Sequence, residues 1–340
     1  MANSPDTRLE ALSAWLHRDL KLDVETIRPA SSDASFRRYF RTKIGEDSFI
    51  VMDAPPLHED VRPFIKVSQL LRAAGVQAPK IHARNIDDGF LLLCDFGNLP
   101  YLDMLSAENA DQLYSDAMES LIRMKRGVDT QTCELPPYDK TRLRAEVDLF
   151  GEWFLDRLLG RVCTSSEHSM LEKTWDFLVE SALEQPKVCV HRDYHSRNLM
   201  ITNEDNPGVL DFQDAVIGPI TYDLVSLLRD CYITWPRERV ENWVRQYHQR
   251  LLDEGLVNEA NADRFLRWFD MMGLQRHTKV LGIFSRLNLR DGKAGYLRDI
   301  PRTLNYMVRV CENHSEIADF HAFLKDGVIQ QTYSLLGQPS

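Results

Sequence analysis

The chain has 340 residues, of which 44% are hydrophobic and 27% charged, and its formal net charge is −10. A chain of this length predicts two lobes rather than one small core, and its acidity disfavours nucleic acid as a partner. It has no apolar run near the roughly 20 residues of a membrane span, no signal-peptide pattern at its start and six scattered cysteines without metal-binding spacing, so we expect a cytoplasmic protein with buried thiols and no membrane partner.

The first part of the chain predicts one helix followed by a small sheet. Leucines recur at helical spacing within residues 7–20. Strand-like runs follow at 24–29, 36–42 and 49–53, then a helix from Pro63 to near Gly75, then strands at 80–84 and 90–94. This β-β-β-α-β-β order predicts a small lobe that comprises residues 1–96.

Residues 97–340 are predicted to form a larger, mostly helical lobe, which makes the fold α+β. The main exception is a short hairpin, in which residues 198–202 and 209–211 pair through an Asp-Asn-Pro-Gly turn. Asp223 begins the helix that follows, and we expect it to brace the loop before the hairpin.

That loop carries the pattern with the most chemical information, H-x-D-x-x-x-x-N, which is followed by a second aspartate at the end of the hairpin. Phosphoryl transfer from ATP needs a carboxylate that accepts the proton of the attacking hydroxyl, together with oxygen ligands for metal ions. Asp193 is the predicted base, and Asn198 and Asp211 are the predicted metal ligands. A lone H-x-D would be an ordinary polar loop, but three spaced elements indicate a kinase. His191 and His195 are four residues apart, but a zinc pair needs that spacing on a helix.

These motifs resemble the aminoglycoside phosphotransferase and choline kinase family, which has a protein-kinase-like two-lobe fold. The runs His-Arg-Asp-Tyr-His and Asp-Phe-Gln are closer to this family than to the H-R-D-L and D-F-G of protein kinases. The resemblance extends from about residue 25 to about residue 310. Residues 52–56 and 209–230 are similar to a bacterial branch that includes anomeric kinases of N-acetylmuramate and N-acetylglucosamine in cell-wall recycling.

The resemblance implies ATP and Mg²⁺ as cofactors and a hinge between the lobes whose backbone meets adenine. The hinge would be Cys94, Asp95 and Phe96. Although residues 95–97 spell D-F-G, they precede the catalytic loop by almost a hundred residues, so we do not expect Asp95 to bind metal.

Two features of the small lobe depart from the protein-kinase pattern. The phosphate loop, residues 30–36, contains no glycine, and Ser32 and Ser35 are its candidate hydrogen-bond donors. The third strand lacks the usual lysine, and Arg38 or Arg41 is the candidate cation that replaces it.

Candidate substrate residues lie in the large lobe. Arg142, Glu146 and Trp153 share one stripe of a predicted helix over 141–158, where a carboxylate could bind sugar hydroxyls and an aromatic ring could stack. The alternative is that this helix only packs into the core. Trp235 is a second candidate for stacking, with the same alternative. His195 and Asp214 flank the predicted catalytic groups, and Asp214 could instead cap a turn.

The sequence therefore predicts an ATP-dependent small-molecule kinase that acts on the anomeric hydroxyl of an N-acetylated amino sugar, and we expect a monomer. An aminoglycoside or choline/ethanolamine kinase is the first alternative, because Glu146 and Trp153 could form a cage for a cation. A nucleotide-binding pseudokinase scaffold is the second, because the lysine and the glycines are absent.

Overall fold

The structure is a computed structural model, and it describes residues 6–32 and 36–339. Two lobes follow one another along the chain, a small one built on a sheet and a large one built from helices. Within the described residues, no helix has both the length and the apolar character that crossing a membrane requires.

The small lobe is an antiparallel sheet with one helix on each face. Its strands are β1 (Val24–Ser32), β2 (Arg38–Ile44), β3 (Asp47–Asp53), β4 (Ile81–Asn85) and β5 (Phe90–Cys94), arranged in the order β1-β2-β3-β5-β4. Helix α1 (Thr7–Ala14) continues in a π-helical segment (Trp15–Asp19) before β1, and α2 (Arg62–Ala73) lies between β3 and β4. The predicted order of elements is confirmed.

Alternation along the strands explains this packing, because successive side chains of a strand point to opposite faces. On one face, Leu12 and Leu16 of the opening helix pack against Val51 and Leu92. On the other face, Met52 and its neighbours pack against α2 in a core that continues into the large lobe. Phe64 of α2 contacts Phe212, which directly follows the predicted metal ligand Asp211, at 4.7 Å between ring centroids.

The large lobe contains ten α-helices and four short strands among the described residues. The helices are α3 (Tyr101–Met104), α4 (Ala110–Gly127), α5 (Lys140–Leu149), α6 (Ser165–Leu183), α7 (Tyr222–Leu228), α8 (Arg237–Asp253), α9 (Ala262–Asp291), α10 (Ile300–Cys311), α11 (Ala318–Phe323) and α12 (Ile329–Leu336). Two π-helical segments, Phe150–Leu158 and Leu324–Val328, follow α5 and α11, and 3₁₀ segments (Ala294–Asp299 and Ser315–Ile317) precede α10 and α11.

The four strands form two hairpin-like pairs that carry the loop of interest. Strand β6 (Lys187–Val190) pairs with β9 (Val216–Pro219), and β7 (Leu199–Met200) pairs with β8 (Gly208–Val209). The predicted hairpin is confirmed, although it is shorter than expected. Because the second pair begins and ends inside the first, the loop after β6 lies beside the residues that follow β8.

Helix α9 runs for 30 residues and contacts more elements of the large lobe than any other helix. It crosses α5 very closely, because a side chain at Gly282 would lie 2.5 Å from the carbonyl carbon of Leu149. This approach requires glycine. It places the middle of α9, with its buried polar residues 275–279, beside the loop after β6.

Candidate active site

The loop after β6 is held by one buried carboxylate at the start of α7. Asp223 is fully buried and accepts hydrogen bonds from the backbone N–H groups of His191 (2.9 Å) and Arg192 (3.0 Å). Lys125, which is also buried, stands 3.9 Å from the same carboxylate. Arg192 has a φ of +80°, which is unfavourable for a residue with a side chain and is held here by these bonds. The expectation that Asp223 braces the loop is confirmed.

The three residues predicted for phosphoryl transfer come together. The Nδ2 of Asn198 donates to the backbone oxygen of Asp193 at 3.0 Å and lies 3.4 Å from Oδ2 of Asp211. Asp211 has a φ of +61°, and Nε2 of Gln213 donates to its Oδ1 at 2.9 Å. The predicted base and the two predicted metal ligands are thus close together in the structure.

The residues present fit a magnesium ion better than a metal held by protein alone. Asn198 and Asp211 offer an amide and a carboxylate, and Asp211 remains one-third exposed at 33% of its side chain. No group of three or more His, Cys, Asp or Glu residues suited to a metal occurs in the described part of the chain. Mg²⁺ needs no such group, since it is commonly held by one or two protein oxygens together with substrate phosphates.

Positive groups keep the predicted base ionised. Burial raises the pKa of Asp193, but nearby cations, Lys279 foremost and Arg276 with it, outweigh that effect and lower the pKa to about 2. The closest of the charged side chains around it is Arg276, whose guanidinium stands 3.9 Å from Oδ1 of Asp193 and is almost fully buried. Asp193 is therefore a carboxylate throughout the physiological range, which makes it a hydrogen-bond acceptor and a weak base.

A partly enclosed pocket opens beside Asp193. Its polar wall carries two carboxylates, Asp193 and Asp230, and two cations, Arg276 and Lys279. Its other lining residues are mostly apolar or aromatic: His195, Tyr222, Cys231, Tyr232, Val280, Ile283 and Phe284. The charges on this wall balance, so the pocket suits an uncharged polar molecule.

Asp230 fixes the far side of this pocket. It is buried and accepts from the backbone N–H of Ser196 at 2.9 Å, from the Ser196 hydroxyl and from the backbone N–H of Tyr232 at 3.0 Å. These bonds connect the loop that carries Asp193 to the segment after α7.

His195, predicted to contact substrate, lines the pocket next to Asp193. Burial lowers the pKa of His195 below its ordinary value, even though Asp230 and Asp193 act in the opposite direction. Its Nδ1 is buried without a hydrogen-bond partner among the described residues. A neutral imidazole with an unused nitrogen is suited to a hydrogen bond with a ligand hydroxyl.

The structure corrects the choice of cation in the small lobe. Arg38 is bound to Asp53, with its Nε 2.9 Å from Oδ2, and also to Asp6. Arg41 forms a two-pronged ion pair with Asp95. Both guanidinium groups are engaged by these carboxylates, so neither is supported as the replacement for the missing lysine. Arg37 instead reaches across the cleft to Oδ1 of Asp211 at 3.4 Å.

The predicted hinge lies between β5 and α3. The Asp95 carboxylate accepts hydrogen bonds from Arg41, the Ser48 hydroxyl and the backbone N–H of Gly97 (2.9 Å). These contacts engage Asp95 at the hinge, which is consistent with the expectation that it does not bind metal. The ring of Phe96 packs against Gly208 of the catalytic hairpin, where an added Cβ would lie 2.6 Å from the ring. The Cys94 N–H is used within the sheet, where it donates to Lys80. Ser35 lies outside the described residues, and Ser32 is described only as the last residue of β1.

Glu146 has a different position from the one its prediction implies. It lies behind the pocket wall, where its carboxylate binds Arg192 (2.6 Å), Lys279 (3.1 Å) and the Tyr138 hydroxyl. Because these partners occupy it, we correct its role from sugar ligand to anchor of Lys279.

The remaining substrate candidates lie outside the pocket. Trp235 is buried in the core, donates its Nε1–H to Tyr114 at 2.7 Å and cannot stack on a ligand. Trp153 is half-buried under the guanidinium of Arg157, 4.0 Å from the ring centroid. Arg142 is exposed in the first turn of α5, and Asp214 is exposed after the hairpin. The alternative of core packing holds for Trp235.

Several pocket residues were missed by the sequence reasoning, above all Arg276 and Lys279 on α9. Their signal was present, since residues 275–279 place Gln, Arg, His, Thr and Lys in the middle of a helix that is otherwise rich in apolar residues. A buried polar run of that kind needs partners, and here Arg276 stands beside Asp193 while Lys279 pairs with Glu146.

The two lobes, the loop braced by Asp223 and the cluster of Asp193, Asn198 and Asp211 are the features of a phosphotransferase of the kinase-like class. The sequence pattern of the phosphotransferase enzyme family matches residues 26–265, and the chain belongs to this family. The resemblance drawn from the motifs is thereby confirmed.

Curated relatives make the comparison more specific. The chain is 45% identical to the N-acetylmuramate/N-acetylglucosamine kinase of Pseudomonas putida over 324 residues, which is 92% of this chain and 95% of that protein. It is also 45% identical to the enzyme of the same name from Pseudomonas aeruginosa, over 94% of this chain and 97% of that protein.

Solved structures confirm the fold. The GDP complex of aminoglycoside 2'-phosphotransferase-IIIa has a TM-score of 0.60 at 15% identity and covers 91% of this chain and 99% of its own. The choline kinase LicA from Streptococcus pneumoniae has a TM-score of 0.60 at 11% identity, with coverage of 92% and 99%.

Proposed function

We propose that this protein is a cytoplasmic, ATP- and Mg²⁺-dependent kinase that phosphorylates the anomeric hydroxyl of N-acetylmuramate and N-acetylglucosamine, a reaction of cell-wall recycling. The names of relatives that are 45% identical over more than nine-tenths of the chain support the two sugars. The cations around Asp193, with Arg276 3.9 Å from its carboxylate, agree with the choice of the anomeric hydroxyl.

A carboxylate with a pKa of about 2 removes protons poorly from an ordinary alcohol. An anomeric hydroxyl is more acidic than an ordinary alcohol, so it makes less demand on the base. Asp193 would orient this hydroxyl by accepting its hydrogen bond. It would take the proton as the sugar oxygen bonds to the γ-phosphorus of ATP and the bond from that phosphorus to the bridging oxygen breaks, which releases ADP. The low pKa of Asp193 and an anomeric acceptor therefore suit each other.

The remaining roles follow from position. ATP would lie between the lobes with its phosphates near Arg37, and Asn198 and Asp211 would hold Mg²⁺, which supplies neutralisation of the phosphate charge. The sugar would occupy the pocket beside Asp193, where His195 is available to a sugar hydroxyl and Tyr232 offers an aromatic wall.

The alternatives fit the pocket less well. Choline and aminoglycosides are cations, and the pocket places Arg276 and Lys279 next to Asp193 where such a substrate would bind. With Glu146 engaged by Lys279 and Arg192, the acidic cage considered from the sequence is not available. A scaffold without activity would not need Asp193, Asn198 and Asp211 at one edge of the cleft.

The test is ADP release by the purified protein with Mg²⁺ and ATP over a panel of acceptors. We expect release with N-acetylmuramate and N-acetylglucosamine and none with choline, kanamycin or water. The 1-O-methyl glycoside of N-acetylglucosamine, in which a methyl group replaces the proton of the anomeric hydroxyl, should also give none. Activity on that glycoside would refute the anomeric assignment.

The matched variant is Asp193→Asn, which keeps size and shape. We expect it to lower turnover by about 10²-fold or more while ATP still binds. Near-normal turnover would remove Asp193 from the mechanism, and silence of the unaltered protein on every acceptor, with ATP bound, would favour the scaffold.

A further inference from the structure

Three arginines surround one buried carboxylate at the edge of the sugar pocket. Asp299, at the end of the 3₁₀ segment before α10, has only 6% of its side chain exposed. Arg302 contacts its Oδ1 at 3.2 Å, while Arg298 and Arg197 stand 3.8 Å and 4.0 Å from its Oδ2. We refer to Arg197, Arg298 and Arg302 as the rim arginine cluster.

The rim arginine cluster is attached directly to the wall of the pocket. The guanidinium of Arg197 lies 3.5 Å from the centroid of the Tyr232 ring, and Arg302 donates to the backbone oxygen of Cys231 at 2.9 Å. Tyr232 and Cys231 both line the pocket beside Asp193. A molecule in the pocket would therefore lie one side chain away from these cations.

The charge of this rim differs from that of the pocket. Arg197 and Arg298 give the rim exposed positive charge, whereas the two cations and two carboxylates of the pocket wall cancel. This local excess stands out in a chain whose net charge is −10.

Arg197 and Arg298 lie near Asp299 but are not hydrogen-bonded to it. Its Oδ2 is buried and has no hydrogen-bond partner among the described residues, because Arg197 and Arg298 are too far from it for a hydrogen bond. Arg197 and Arg298 also keep 32% and 74% of their side chains exposed. Guanidinium groups held near a carboxylate, but not closed around it, can bind a second carboxylate through paired N–H donors.

We propose that the rim arginine cluster binds the carboxylate of an acidic ether substituent on the sugar, the feature that N-acetylmuramate has and N-acetylglucosamine lacks. The balanced pocket takes the uncharged ring that both sugars share. The inference rests on the proposed function and adds to it the residues that favour the acidic sugar.

The test compares kcat/KM for the two sugars in the unaltered protein, in Arg298→Gln, in Arg298→Glu and in Arg302→Gln. The ratio of kcat/KM for N-acetylmuramate to that for N-acetylglucosamine should fall about threefold to tenfold in Arg302→Gln, and further in Arg298→Glu than in Arg298→Gln. Arg298 is on the surface, so its variants keep the test valid if Arg302→Gln does not fold.

The matched control is Arg309→Gln, an exposed arginine of α10 that lies seven residues, or about 10 Å, beyond Arg302 along the helix. It should leave the ratio as it is. Raising ionic strength should lower kcat/KM for N-acetylmuramate more than for N-acetylglucosamine in the unaltered protein, and this difference should shrink in Arg298→Glu.

The outcomes separate the two proposals. Equal losses for both sugars in the rim variants would show that the cluster only supports the fold, and an unchanged ratio with full activity would show that the carboxylate binds elsewhere. Either result overturns this inference and leaves the proposed function intact. If the unaltered protein phosphorylates neither sugar, both proposals fall.

Discussion

Arg37 is the small-lobe arginine whose guanidinium reaches the predicted metal ligand Asp211. It follows a loop without glycine and precedes a strand whose two other arginines are bound to Asp53 and Asp95. Its own guanidinium has 10% exposure and reaches Asp211 on the other side of the cleft. The strand pattern places Arg37 and Arg38 on opposite faces, and the contacts agree, since Arg38 turns to α1 and Arg37 to the cleft.

The residue-scale prediction is that Arg37 provides the positive charge supplied elsewhere by the third-strand lysine. Arg37→Met should raise the KM for ATP about tenfold or more, because it removes a cation from a poorly solvated phosphate site. The KM for the sugar should change by about twofold at most. The measurement is steady-state kinetics with each substrate varied in turn.

Arg28→Met is the matched control, since Arg28 is an exposed arginine of β1, paired with Arg41 in the sheet. If both variants raise the KM for ATP equally, the effect is one of general charge, and Arg37 has no special position.

At the scale of elements, the crossing of α5 and α9 positions the charges of the sugar pocket. Glu146 lies one turn before Leu149 on α5, and Lys279 lies one turn before Gly282 on α9. The absence of a side chain at Gly282 lets the two backbones touch, and that approach allows the 3.1 Å contact between Glu146 and Lys279. Lys279 in turn lowers the pKa of Asp193.

Gly282→Ala should therefore affect both stability and catalysis. The added methyl group meets backbone atoms that cannot rotate away, so we expect a loss of about 1–3 kcal/mol in the free energy of unfolding. Moving α9 should also lower kcat for both sugars. Denaturant unfolding and steady-state kinetics measure the two effects.

Gly151→Ala is the control for this substitution, because nothing lies within 4 Å of an added Cβ in that helical segment. It should be neutral or slightly stabilising. If Gly282→Ala has the stability and the kcat of the unaltered protein, the helices separate without cost and their crossing does not determine the geometry of the pocket.

The same element shows what the sequence could and could not predict. The loop from His191 to Asn198 and the hairpin after it were predictable, because their spacing fixes which residues lie close together. Arg276 and Lys279 were not assigned, because they follow Asp193 by 83 and 86 residues and the crossing at Gly282 places their helix beside it. Glu146 was predicted to bind the sugar, but it is engaged by Arg192 and Lys279, which come from two distant segments of the chain.

At the scale of the whole molecule, the cleft is completed by residues from both lobes. Arg37 belongs to the sheet-built lobe and Asp211 to the helical one, and they approach each other across the cleft. A nucleotide with its metal bound between them would contact both lobes and so stabilise the folded state through ligand binding.

We therefore expect ATP with Mg²⁺ to raise the melting temperature by several degrees at saturating concentration. Removal of Mg²⁺ with EDTA should abolish turnover and most of this shift, and added Mg²⁺ should restore both. Asp211→Asn should need a higher Mg²⁺ concentration for half-maximal activity. Full turnover in EDTA would refute the metal roles of Asn198 and Asp211.

The ion pair between Arg41 and Asp95 has a mechanical consequence. It connects β2 to the segment between the two lobes. The Ser48 hydroxyl and the Gly97 N–H donate hydrogen bonds to the same Asp95 carboxylate. A hinge held by these contacts should limit the rotation of one lobe relative to the other. We expect the empty and the nucleotide-loaded enzyme to give nearly the same radius of gyration in X-ray scattering, and an Asp95→Ala protein to give a larger and more variable one.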